Sequence, residues 1–277
     1  MTETQNSIKL KIASLQMVST PVVQENLNTA NRLIKAAAEN GAQLVVLPEY
    51  FCLMGLKDTD KVSARETYGS GPIQEQLSSF AKENGVYLVA GTIPLKASNP
   101  HKVLNTTLVF SPNGKAIGRY DKIHLFGFQT KTEYYQESDT IEAGDEPSLL
   151  KIVIDQHEWI FGLSICYDLR FPELYRALGQ VDCHLIPAAF TYTTGKDHWE
   201  ILLRARAIEN QCYVLASAQG GKHVNQRRTW GHSMLIDPWG DIQADLPEGE
   251  GFITGDLCKD KLNEVRSQLP ALAHRKL

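Results

Sequence analysis

Leu44-Val45-Val46-Leu47 is apolar at every position and is followed at once by Pro48. So short and continuous a run reads as a strand buried on both faces, and proline, lacking an N–H, stops it. Such a strand needs a covering layer on each side. Tyr87 to Ala90 is a second run of this kind, and His184 to Ile186, stopped by Pro187, is a third short strand. Between the runs the spacing turns helical. Leu27, Ala30, Ile34, Ala37 and Ala38 share one face before Gly41, and Ile73, Leu77, Phe80 and Ala81 share another before Asn84-Gly85.

The alternation continues to the end of the chain. Ile8, Leu10 and Ile12 mark a strand, as do Trp159 to Ile165, Tyr213 to Ala216 and Phe252 to Leu257. Glu173 to Leu178 reads as a helix. A longer one covers Trp199 to Asn210, with Ile201, Leu202, Ala205 and Ile208 expected inward. Two hairpins turn at Ser111-Pro112-Asn113-Gly114 and Asp237-Pro238-Trp239-Gly240. The sum is an α/β layered sandwich. No linker-like stretch divides the 277 residues, so one domain over 1–277 is expected.

Composition narrows the function. A net charge of −4 offers no basic field for nucleic acid or anionic membrane. No apolar run reaches the roughly 18 residues of a membrane span. Met1 to Ser7 is polar, so the cytoplasm is the expected compartment. The five cysteines are widely spaced, with no C-x-x-C, which argues against a disulfide framework or structural zinc site.

Three residues are placed for chemistry. Cys166 follows an apolar strand and precedes a helical stretch, so it lies near free backbone N–H groups that favour a thiolate and an oxyanion. Its plainer reading is a buried structural thiol. Glu49 follows Pro48 at a strand's C-terminal end, where ligands gather in open α/β sheets, and suits a general base. Its plainer reading is a solvated loop glutamate. Lys122 follows a hairpin strand and suits oxyanion neutralisation, or else a surface pair with Asp121.

The order strand–Pro48-Glu49, then Tyr120-Asp121-Lys122-Ile123-His124, then strand–Cys166-Tyr167-Asp168-Leu169-Arg170-Phe171-Pro172-Glu173 resembles the nitrilase, or carbon–nitrogen hydrolase, superfamily. So do His198-Trp199-Glu200, Arg204 to Asn210, Trp230-Gly231-His232-Ser233 and Asp237 to Gly240. The likeness spans nearly the whole chain, with a core of about 8–269.

The resemblance implies a four-layer αββα sandwich that pairs as a homodimer or larger homo-oligomer. It implies catalysis by Glu49, Lys122 and Cys166, without metal or other cofactor. A second glutamate is expected at Glu137, with Glu133 as its rival. The reaction implied is hydrolysis of a small carboxylate-bearing amide through a cysteine thioester, releasing ammonia. Arg170 to Glu173 and Gly231 to Met234 look most like the deaminated glutathione amidase branch, with ω-amidase action on α-ketoglutaramate or succinamate as the alternative. Substrate contacts are expected from Tyr167, Arg170, Phe190 and Thr191. Arg170 pairing with Glu173, and Phe190 and Thr191 as simple packing, are the plainer readings. Two other classes stay open: a Cys-His thiol hydrolase using His124, His184, His198 or His232, and a non-catalytic scaffold.

Overall fold

The apolar runs lie in the middle of sheets. In the computed structural model, which describes residues 7–131 and 133–276, β1 (Lys9–Gln16) leads through α1 (Val23–Glu39) to β2 (Leu44–Val46). Next come α2 (Asp60–Ser63), α3 (Pro72–Asn84) and β3 (Tyr87–Val89). The strands β1, β2 and β3 run parallel, side by side. Then β4 (Ile93–Lys96), β5 (Val103–Phe110) and β6 (Ala116–Asp121) add antiparallel pairings. A small hairpin of β7 (Gly127–Gln129) and β8 (Tyr134–Gln136) follows, and β9 (Ile141–Glu142) returns to β5.

The second sheet has the order β10 (Ser148–Ile154), β11 (His157–Leu163), β12 (Cys183–Ala188), β13 (Tyr213–Ala218), β14 (Ser233–Ile236) and β15 (Ile242–Leu246). Its helices are α4 (Pro172–Ala177) and α5 (Tyr192–Asn210). The last strand, β16 (Gly251–Cys258), crosses back to pair with β1, and α6 (Lys259–Gln268) follows.

Side chains alternate faces along each strand. Leu10, Ile12, Leu44 and Val46 meet Phe161, Leu163 and Leu185 between the sheets. Their neighbours Ala13, Leu15, Val45 and Leu47 face Leu27, Leu33 and Leu77 of α1 and α3. On the far side, Leu174 of α4 and Trp199 and Leu203 of α5 cover the second sheet. The result is the αββα order. Two serines bridge the sheets: Ser14 Oγ donates to Ala216 O (2.8 Å) and Ser217 Oγ to Val46 O (3.0 Å).

Two sequence expectations are corrected. The inward stripe of α5 is Trp199, Leu203, Arg206, Ala207 and Asn210, whereas Ile201 and Ile208 are 69% and 50% exposed. Both stripes have helical spacing. The indole of Trp199 alone buries roughly 150–250 Å², and its Nε1 donates to His232 O (2.8 Å), so the covered face is the one that takes in and satisfies the tryptophan. Nor does Pro187 stop its strand: β12 continues to Ala188, with Pro187 opposite Ser217. Pairing with β11 ends at Leu185, so the proline needs no N–H on that side. Among the described residues no helix is long and apolar enough to cross a membrane.

Candidate active site

Glu49 sits just beyond β2 and is fully buried. The turn that holds it depends on Gly91, whose φ is +49° and where a Cβ would lie 2.1 Å from Pro48 O. Only glycine allows so close an approach. Gln219 Nε2 donates to the Glu49 carbonyl (3.0 Å). The carboxylate is held on both oxygens: Oε1 accepts from Asn105 Nδ2 (2.9 Å) and Lys122 Nζ (2.8 Å), and Oε2 from the Ala189 N–H (2.9 Å).

Lys122 follows directly after β6, and its side chain is 0% exposed. Asp121 pairs instead with Arg119 (2.9 Å). The Lys122 ammonium donates to Glu49 Oε1 and to both oxygens of Glu137, at 3.0 and 2.8 Å. Burial opposes the charge, but the Glu137 and Glu49 carboxylates outweigh it and hold the ammonium above its ordinary pKa. Glu137 also accepts from Tyr50 Oη (2.7 Å) and the Phe126 N–H (2.7 Å). Burial pushes its carboxyl up. The Lys122 charge and hydrogen bond, with those from Phe126 and Tyr50, pull it further down, so it lies below the usual range. Glu133 lies elsewhere and accepts from Thr193 Oγ1 (2.8 Å).

Cys166 opens a 3-10 turn, Cys166–Arg170, with φ of +49°. A side chain at such an angle stores strain, and the first N–H groups of the turn have no partner within it. Asp168 pins the turn, accepting from the Ile165 N–H (2.9 Å). It also accepts from Tyr120 Oη (2.7 Å) near the end of β6, two residues before Lys122. Burial raises the Cys166 thiol, Glu49 raises it further and Lys122 lowers it; the net is well above the ordinary value. A thiol raised in this way needs a base to ionise it, and the Glu49 carboxylate is the strongest charge acting on it.

A narrow recess opens at Cys166, lined among others by Glu137, Phe190, Thr191, Thr194 and Arg227. Phe190 and Thr191 therefore face the sulfur's cavity. The Tyr167 and Arg170 side chains do not line it. Tyr167 packs edge-on against Phe126 and Phe171, and Arg170 lies over Tyr167 and Phe190 and donates to His198 Nδ1 (3.2 Å). Arg170 makes no ion pair with Glu173 among the described residues. Nor does any of the four histidines line the recess. His124 is bound to Asp168, His198 to Arg170 and His232 to Asp245, and His184 is buried against Tyr175.

Four further residues belong to the site without having been singled out in the sequence: Tyr50, Asn105, Asp168 and Arg227. Asp168 follows Cys166 by two positions, and Tyr50 follows Glu49, so proximity to the nucleophile and base was the available signal. Asn105 and Arg227 carry none, because only the fold brings β5 and the loop after β13 to this point.

The carbon-nitrogen hydrolase family pattern matches residues 11–267, and the chain belongs to that family. It is 44% identical over 270 residues to a deaminated glutathione amidase of Synechocystis sp., covering 95% of this chain and 97% of the relative. It is 38% identical over 271 residues to omega-amidase NIT2 of Xenopus tropicalis, covering 97% and 95%. The crystal structure of the C. elegans NitFhit protein superposes with a TM-score of 0.86 at 33% identity, covering 98% of this chain and 66% of that longer one. The protein is accordingly an amidase, a hydrolase of carbon–nitrogen bonds other than peptide bonds, and the nitrilase-like sandwich is its fold.

Proposed function

We propose that the protein hydrolyses a small carboxylate-bearing amide through a thioester on Cys166, with deaminated glutathione as the leading substrate type and α-ketoglutaramate or succinamate as the alternative. One observation carries this reading: Lys122 Nζ bridges Glu49 and Glu137, and Glu137 shares the lining of the recess with Cys166. Glu49 takes the thiol proton as the sulfur attacks the amide carbon. Lys122 and the Tyr167 N–H receive the developing oxyanion. Glu49 then protonates the leaving nitrogen, and the C–N bond breaks. That nitrogen leaves as ammonia from a primary amide, or as the cysteinyl amine from deaminated glutathione. Water, deprotonated by Glu49, attacks the thioester and frees the acid and the thiol. Glu137 orients Lys122 throughout, and Phe190 and Thr191 wall the acyl group.

The whole chain, 1–277, is taken to act as one such domain in the cytoplasm. The exposed Ile201 and Ile208, with half-exposed Trp239 on the adjoining turn, support a homodimer. A screen against deaminated glutathione, α-ketoglutaramate and succinamate tests the reaction. Cys166→Ala should abolish turnover and keep the unfolding midpoint, and a slow substrate should leave its acyl mass on the Cys166 peptide. A Cys166→Ala protein that still turns over would overturn the reading, as would an adduct on Cys52 or Cys212.

A further inference from the structure

The loop between β13 and β14 carries Arg227 to the wall of the Cys166 recess. The guanidinium donates from one Nη to Ala189 O (3.0 Å), the residue whose N–H holds Glu49. Its plane lies near the rings of Tyr50 (6.0 Å) and Tyr135 (5.3 Å). Its Nε is buried and has no hydrogen-bond partner, and no carboxylate among the described residues is ion-paired with it. A buried guanidinium edge left open is unusual, because Arg offers a planar fork that matches a carboxylate.

The position suits that use. Arg227 also lines a groove outside the recess, shared with Lys61, Tyr135 and Asn225. It therefore stands where the reacting cavity meets the approach to it. Inside, Glu49 and Glu137 carry two negative charges against the one positive charge of Lys122. An anionic substrate entering there would meet net repulsion, and Arg227 cancels it. The loop is also fixed in advance. His223 donates from Nδ1 to Ser19 O (3.0 Å) and accepts from Thr229 Oγ1 at Nε2 (2.9 Å). Asn225 donates to Gly55 O (2.7 Å) and accepts from the Arg227 N–H (3.0 Å). Arg170, by contrast, is engaged by His198, Tyr167 and Phe190 and lies off the recess.

We infer that Arg227 is the residue that binds the carboxylate at the far end of the amide substrate, selecting acid-bearing amides over neutral ones and setting the carbonyl against Cys166. This deepens the proposed function and rests on it for the substrate, though not for the site.

Two measurements on the full chain separate them. The first is the ratio of kcat/KM for succinamate to that for butyramide, which lacks the carboxylate. Arg227→Met should lower this ratio about 100-fold, mainly through weaker succinamate binding. Arg227→Lys, which keeps the charge but loses the fork, should give an intermediate ratio, and Arg170→Met should retain the wild-type one. The second is the rate of Cys166 modification by the anionic sulfonatoethyl methanethiosulfonate relative to the cationic trimethylammonioethyl reagent, read by peptide mass. Arg227→Met should lower that relative rate about 10-fold. Unchanged ratios in both assays overturn the inference, as does a loss that follows Arg170→Met instead. If the wild type turns over no amide, the proposed function fails, and the thiol-modification ratio still decides Arg227.

Discussion

Asp168 accepts both donors that His124 presents, the backbone N–H at 3.0 Å and ring Nδ1 at 2.7 Å. The Cys166 turn and the segment after Lys122 are thereby tied to one buried carboxylate, which also holds Tyr120 and Ile165. Asp168→Ala would leave several buried donors without a partner. Each such loss costs about 1–3 kcal/mol, so we expect about 3 kcal/mol of destabilisation in urea unfolding. Catalytic efficiency should also drop by about two orders of magnitude, as sulfur and ammonium lose their common anchor. A variant within about 0.5 kcal/mol of wild type, the range of ordinary surface substitutions, would show that the tie is unimportant.

Lys122→Met should reverse the sign of one pH dependence. In the wild type Glu137 lies below its unfolded value of 4.5. Its contribution to stability is therefore present above pH 4.5 and is lost as the pH falls. Without the ammonium, burial and Glu49 would raise Glu137 above 4.5, so stability would be present at low pH and lost as the pH rises. At pH 7 the cost should be about 3–5 kcal/mol, as for a buried pair stripped of one partner. A Tm profile from pH 4.5 to 7 checks this: the variant should fall with rising pH, and a profile parallel to wild type would contradict it.

Tyr50→Phe removes one donor to Glu137 and little else, since the Tyr50 N–H to Thr92 Oγ1 bond (2.9 Å) stays. Charge-assisted hydrogen bonds contribute about 1.5–3 kcal/mol. Part of that should appear as a kcat lowered about 10-fold, with an unchanged thiol adduct at Cys166. Steady-state kinetics would expose the alternative, a purely structural tyrosine, as a loss of Tm with kcat intact.

His223 should make the protein acid-sensitive. Burial, only partly offset by its bond to Ser19 and reinforced by Arg227, lowers its pKa from 6.5 to about 4. Between those values the unfolded chain binds the proton and the folded one does not, so stability falls as the pH drops from 6.5 towards 4. His223→Gln, which cannot titrate, should flatten this stretch of the denaturation profile. An equally steep profile in the variant would assign the sensitivity elsewhere, for example to His184, which burial lowers to about 3.

The sequence disclosed the site to the extent that its residues sit at the ends of recognisable strands. Glu49 and Cys166 follow apolar runs whose period is visible locally, and Lys122 follows a hairpin with a clear turn. Glu137 is preferred to Glu133 only through the family likeness; local pattern does not separate them, because the choice depends on where the β7–β8 hairpin lands. The same holds for Arg227 and Asn105, which arrive from other parts of the chain. Helix α5 misled for a different reason: it carries two apolar stripes, and only tertiary competition decides which one is covered.

The φ of +49° at Cys166 restricts which residues evolution can try there. A β-branched side chain is a severe outlier at positive φ, since its extra methyl group meets the neighbouring carbonyl. Threonine is thus shut out of the nucleophile position by backbone shape alone. Serine, unbranched at Cβ, still fits, so of the three small hydroxyl and thiol nucleophiles the backbone admits two and refuses the third before reactivity is considered.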